Sequence, residues 1–95
     1  MPAYFIAIRN GIRDAGEMDS YAGKAGASMG GHDFRLLALY GKLRSTDGPP
    51  TDGAVIVEFP TFEAAEAWFD SPAYQDALQH RLKGGDYQTF IVEGL

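Results

Sequence analysis

Residues Glu58–Arg81, EFPTFEAAEAWFDSPAYQDALQHR, run from the end of an apolar strand through two capped helical segments and close on a cation. Thr61 stands where a helix N-cap belongs, and Phe62, Ala65, Trp68 and Phe69 recur on one side of the turns that follow. Ser71-Pro72 breaks that helix and starts another, because proline suits a helix's first turn and disfavours helix in the residue before it. At about 100° per residue, Arg81 falls in the middle of the arc made by Tyr74, Ala77, Leu78 and Leu82. A guanidinium on a core face needs a reason. Three are open: a buried partner such as Glu58 or Asp70, a bound anion, or a long stem returning its head to water.

Outward from this stretch, Ala3–Arg9 (AYFIAIR) reads as a strand ended by Asn10-Gly11. Asp14 and Glu17 form a capping-box pattern, and Met18, Tyr21, Ala22, Ala25 and Met29 make the buried stripe of a helix that ends at Gly30-Gly31. Gly16, Gly23 and Gly26 lie inside this helix at about 1 kcal/mol each relative to alanine, so it depends on packing. Close approach of this helix to a sheet is their expected role, in preference to a flexible lid. Phe34–Arg44 (FRLLALYGKLR) reads as a second strand and Ala54–Phe59 (AVIVEF) as a third, joined by the loop STDGPPTDG. The helix begun at Ser71-Pro72 ends at Gly84-Gly85, and Tyr87–Glu93 (YQTFIVE) is the last strand.

The order β-α-β-β-α-β predicts an α+β, ferredoxin-like sandwich: a four-stranded antiparallel sheet with helices over one face, in one domain spanning residues 1–95. The first and third strands are central in that topology. Both are apolar on both sides, with Tyr4, Ile6 and Ile8 against Phe5 and Ala7, and Val55 and Val57 against Ile56. Helices shield one face only, so a second copy is expected on the other, giving a homodimer through the sheet face.

Ninety-five residues with 45% hydrophobic content suit a modest core, and the absence of cysteine removes disulfides, thiolate metal sites and cysteine nucleophiles. Met1-Pro2-Ala3 leads straight into an apolar run without a basic leader region, and no apolar run is long enough to cross a bilayer. The expectation is a soluble, cytoplasmic protein with no membrane partner. A net charge of −5 disfavours nucleic acid. Arg35, Lys42 and Arg44 alternate along one segment and read as a solvated strand edge.

Tyr74 and Arg81, two turns apart on one face, can converge on an anionic or carbonyl group in a cavity between helix and sheet. Glu58 is a second polar intrusion on the side of Ile56: it is either the partner of Arg81 or a buried general base. His32, at the junction of the first helix and second strand, is placed to transfer a proton at a cavity mouth, whereas His80 falls on the polar arc with Gln79 and Lys83 and is expected in solvent. Trp68, Phe69 and Tyr74 either line a pocket or fill the core. Ser71 reads as an N-cap, with no GxSxG around it. The histidines lack metal-ligand spacing and no phosphate-binding glycine motif is present, so neither metal nor cofactor is expected.

With these residues identified, the chain resembles a bacterial family of domains of unknown function, DUF1330. The likeness is carried by the opening MPAY, by VEFPTFEAAEAWFDSPAYQ (Val57–Gln75) on through Arg81, and by the closing IVEG (Ile91–Gly94). It implies the dimeric α/β barrel superfamily with its ferredoxin-like fold, whose related barrels include small monooxygenases and isomerases with pockets between sheet and helices. By position, His32, Glu58, Ser71, Tyr74 and Arg81 match residues typical of the family, and Asp47-Gly48 matches its acidic-Gly turn. The chain departs from it at Asp33-Phe34, where Gly-Gly is common, and at Leu39-Tyr40-Gly41, where Arg-Gly-Gly is usual. Those departures place bulk and remove charge at the expected pocket mouth.

The resulting expectation is a homodimer that binds a small anionic or carbonyl-bearing molecule. Tyr74, Arg81, Trp68 and Ser71 are its substrate-binding candidates, and His32 and Glu58 its acid/base candidates. Whether it is a monooxygenase- or isomerase-like enzyme stays open, and the alternative is a dimeric structural or interaction module without a ligand.

Overall fold

Along Ala3–Ile12 (β1), Ala3, Phe5 and Ala7 are buried while Tyr4, Ile6 and Ile8 are half-buried, the two-residue period of a strand whose faces meet different surroundings. In the computed structural model, which describes residues 1–95, β1 lies inside an antiparallel sheet. It pairs with Gly53–Phe59 (β3) on one side and Gly85–Glu93 (β4) on the other, and Arg35–Leu39 (β2) pairs with β3. The order β2-β3-β1-β4 makes β1 and β3 central, as expected, and leaves the sheet of a single chain open at both edges.

The helices are Ala15–Ser28 (α1), Phe62–Phe69 (α2) and Pro72–Gly84 (α3). Each starts where a short polar side chain satisfies an otherwise free amide: Asp14 accepts from Glu17 N at 3.1 Å, Thr61 from Ala64 N at 3.0 Å and Ser71 from Tyr74 N at 3.2 Å. Glu17 does not complete a capping box, because its carboxylate is engaged by His80. The element order is β-α-β-β-α-α-β, the second helical region being split at Asp70-Ser71.

Two strand ends differ from expectation by more than two residues. β1 continues to Ile12, with Asn10-Gly11 forming an irregularity in register rather than the strand's end; Gly11 supplies a φ of 131° that other residues avoid. β2 stops at Leu39 instead of Arg44. Its register shifts between Leu36 and Ala38, and Tyr40 turns out of the strand with a left-handed φ of 51°.

Direct pairing puts Phe5 opposite Val57 and Ile91, and Ala7 opposite Val55, so these residues share the face covered by helices. There Trp68 joins α2 to the sheet, stacked 5.4 Å from Phe59, 4.3 Å from Tyr74 and edge-on to Phe5 at 5.0 Å. Such pairs contribute about 0.5–1.5 kcal/mol each beyond area burial. The opposite face carries Tyr4, Ile6, Ile8, Ile56, Phe90 and Val92 with no helix over it. The molecule measures 32 × 30 × 17 Å, and its thin axis accommodates one sheet and one helix layer. Its accessible surface, 5781 Å², exceeds the roughly 5400 Å² typical of a monomer of this mass.

Candidate functional site

Helix α1 is held by a polar seam. Once per turn, one of its side chains reaches a neighbouring element: Glu17 meets His80 at 2.6 Å, Tyr21 meets Tyr74 at 2.9 Å, Lys24 meets Asp76 at 2.6 Å, and Ser28 accepts from Trp68 Nε1 at 3.1 Å. Arg13, just before the helix, bonds Asp86 and the Leu82 carbonyl. The expected solvated His80 is therefore half-buried and paired. Where α1 and α3 meet, Gly84 makes the close approach, since a Cβ there would stand 2.8 Å from Met18 Sδ. Gly23 and Gly26 have no such neighbour, so close packing onto a sheet is not their role.

With its seam directed at α2 and α3, α1 leaves Met18, Ala22, Ala25 and Met29 facing a gap rather than the sheet. The gap is a cavity of about 590 Å³. Phe5 and Ala7 of β1 with Val55 and Val57 of β3 form its floor, Trp68 closes one side, and Phe34, Leu36 and Leu39 stand along the β2 edge. Sixteen of nineteen lining residues are hydrophobic, and the polar lining consists of Arg9, Asp19 and the phenols of Tyr21 and Tyr40. Leu36 and Leu39 are 50% and 57% exposed, which gives the cavity an apolar rim at the free edge of the sheet.

The polar end is built from four tyrosines and two arginines. Tyr40 meets Tyr87 hydroxyl to hydroxyl at 2.5 Å, and its ring lies beneath the Arg9 guanidinium at 4.4 Å. Gly53 makes this possible: a Cβ there would fall 2.7 Å from the Tyr40 ring. Arg9 is itself bonded to Asp52 at 2.7 Å. Burial pushes the Tyr21 pKa well above the usual phenol value, reinforced by Tyr74 and opposed by Arg81. Burial likewise raises Tyr40, aided by its bond to Tyr87 and opposed by Arg9 and Arg81. Both cavity hydroxyls therefore keep their protons at physiological pH, under the field of a nearby cation.

That cation is Arg81. It is 5% exposed, its Nε is buried without a hydrogen-bond partner, and no carboxylate lies within ion-pair distance. Its guanidinium carbon sits 4.9 Å from the Tyr87 ring centre and 6.0 Å from that of Tyr21. The π-faces and the C-terminal dipole of α3 offset part of its burial.

The candidates chosen from sequence separate into groups. Tyr74 and Arg81 do share the buried face of α3, along with Ala77 and Gly84, while Leu82 is exposed and lies off it. Neither Tyr74 nor Arg81 lines the cavity; they stand one layer behind Tyr21. Trp68 is a lining residue. Ser71 caps α3 and donates to the Trp68 carbonyl at 2.7 Å. His32 lies between the lining residues Met29 and Phe34 without lining the cavity itself. Glu58 is across the sheet, opposite Tyr4 and 3.3 Å from Arg35, so neither it nor Asp70 is the partner of Arg81. Arg9, Tyr21, Tyr40 and Tyr87 were not singled out for the site. Bulk at Tyr40 and Gly53 at the start of a strand were the available signals.

These features define a ferredoxin-like α+β protein with an apolar chamber between one helix and its sheet, closed at one end by a tyrosine–arginine cluster. The chain belongs to the family described as Domain of unknown function (DUF1330), which matches residues 2–95. No curated protein is significantly similar in sequence. Among solved structures it resembles a protein of unknown function from Rhodopseudomonas palustris, at 17% identity and a TM-score of 0.72, covering 99% of this chain and 82% of the other. A dimeric protein of unknown function with ferredoxin-like fold from Bacteroides fragilis matches at 13% identity and 0.64, covering 98% and 96%. SnoaB, a cofactor-independent oxygenase from Streptomyces nogalater, matches at 10% identity and 0.62, covering 99% and 92%. At these identities the likeness is one of fold. No helix is long and apolar enough to cross a membrane.

Proposed function

We propose that this chain forms a homodimer through its uncovered sheet face and binds a small, mainly apolar organic molecule with one carbonyl or anionic oxygen. The cavity beneath α1 carries this reading: about 590 Å³ of mostly hydrophobic lining, with a few polar groups gathered at one end, is the usual form of a small-molecule site. Two neutral phenols, Tyr21 and Tyr40, suit an acceptor oxygen. The dimer is supported by the apolar residues left bare on β1, β3 and β4 and by the dimeric state of the Bacteroides fragilis neighbour.

The oxygenase among the neighbours supports an enzymatic version of this reading at the level of fold. His32, flanked by the lining residues Met29 and Phe34, is its candidate proton-transfer group; Glu58, on the dimer-forming face, is assigned to its ion pair with Arg35 instead. Titration with the neutral dye Nile red tests the cavity. Saturable fluorescence enhancement is expected, with at least a tenfold loss of affinity in Ala22→Trp, which fills the space under α1. Equal binding by that variant would move the site elsewhere, and no binding at all would favour a dimeric module without a ligand.

A further inference from the structure

Resting on the cavity assignment above, we propose that the site takes its ligand as an oxyanion, the conjugate base of a phenol or an enolisable carbonyl compound. The oxygen is held between Tyr21 and Tyr40, with Arg81 as its buried counter-charge.

Arg81 is a 5% exposed cation without a carboxylate and with an orphaned Nε. A buried charge in that condition is costly unless an opposite charge comes near it. Tyr21, whose ring centre is 6.0 Å from the Arg81 guanidinium, lines the cavity, so an anion there lies one side chain away. The tyrosine pairs are arranged to serve it. Tyr74 is fully buried and Tyr21 is its hydroxyl partner; when Tyr74 donates, Tyr21 keeps its own proton for the cavity. Donation from Tyr87 leaves Tyr40 in the same position. Since both lining phenols hold their protons well above neutral pH, a more acidic ligand ionises first, releasing its proton to buffer.

Two effects oppose an anion. The apolar walls disfavour any charge, and two carboxylates are near, Asp19 at the rim and Asp52 on Arg9. Both carboxylates are exposed to water and screened, and Asp52 is further neutralised by Arg9, whereas Arg81 acts through buried protein. The balance favours the anion over its neutral acid, by about tenfold for one unpaired cation roughly 10 Å away at an effective dielectric constant of about 20.

Para-nitrophenol tests this directly, because its phenol and phenolate absorb at different wavelengths. Bound to the dimer at a pH near its own pKa, it should show about a tenfold higher ratio of phenolate to phenol than in buffer. Arg81→Met should abolish the enrichment while still binding Nile red. If that variant does not fold, Tyr21→Phe and Tyr40→Phe should each reduce the enrichment. Nile red binding together with nitrophenol that is unbound, or bound at the buffer ratio or protonated, overturns this inference and leaves the cavity reading standing. If neither dye binds, both readings are overturned.

Discussion

Glu58 and Arg81 stand on opposite faces of the sheet: Glu58 lies opposite Tyr4 and forms an ion pair with Arg35, while Arg81 lies beneath α3 against the ring of Tyr87. The two polar intrusions of the Glu58–Arg81 stretch therefore do not satisfy each other. Glu58 has a local partner at a solvent-accessible edge, and Arg81 has only aromatic faces and a helix dipole.

Because Arg81 has no ion pair to lose, Arg81→Met should change stability by less than about 1 kcal/mol. The lost cation–π contacts, about 0.5–2 kcal/mol, are offset by relief from burying the charge. In a domain of this size that is a shift in Tm smaller than about 8 °C. A larger fall in thermal unfolding would show that Arg81 is a structural element of the core.

Gly53→Ala should displace the Tyr40 ring, since its Cβ would fall 2.7 Å from that ring and 3.2 Å from Arg9 Nη2. A cost of about 1–3 kcal/mol is expected from this overpacking. The same change in a Tyr40→Ala background should cost almost nothing. Urea denaturation of the four proteins in a double-mutant cycle measures the coupling, and additive effects would contradict the contact.

Tyr21 holds its proton in the native state far above the ordinary value of 10.0. Above that value the unfolded chain loses the proton while the native state keeps it, so the native state binds more protons and stability falls as pH rises. The contribution is full below about pH 10 and declines by at most about 1.4 kcal/mol per pH unit above it. Urea unfolding between about pH 9 and 11 should show a shallower decline for Tyr21→Phe than for wild type.

Ser71→Ala should cost about 0.5–2 kcal/mol through loss of the α3 cap and should leave Nile red affinity unchanged, because Ser71 does not line the cavity and meets only the backbone of the lining residue Trp68. A loss of binding at unchanged stability would give Ser71 a ligand role.

Ile56 sits on the uncovered sheet face beside Ile6. Ile56→Asp should convert a dimer seen by light scattering at micromolar concentration into a monomer, with a Tm that no longer depends on concentration. A wild-type protein that is monomeric under those conditions would remove the dimer from the proposal.

Much of the architecture was legible in local chemistry. Thr61, Ser71 and Asp14 are caps whose short polar side chains bond amides three residues on, so neighbouring residues alone mark those helix starts. Near-continuous apolar runs of β-branched and aromatic residues in Ala3–Arg9 and Ala54–Phe59 likewise marked the central strands, because such residues suit a pleated surface covered on both faces. The end of β2 was not legible, since FRLLALYGKLR remains strand-like throughout and Tyr40 leaves the strand to meet Arg9, Gly53 and Tyr87, all distant in sequence.

The site divides along the same line. Periodicity sufficed to place Arg81 on a buried face with Tyr74, since both ride on one helix whose 3.6-residue turn sets their alignment. It said nothing of which residues would border the cavity. The chamber exists because α1 spends Glu17, Tyr21, Lys24 and Ser28 on α2 and α3 and so stands away from the sheet. Such a choice among packing partners depends on contacts between residues about 40 to 63 positions apart, and no local pattern encodes them.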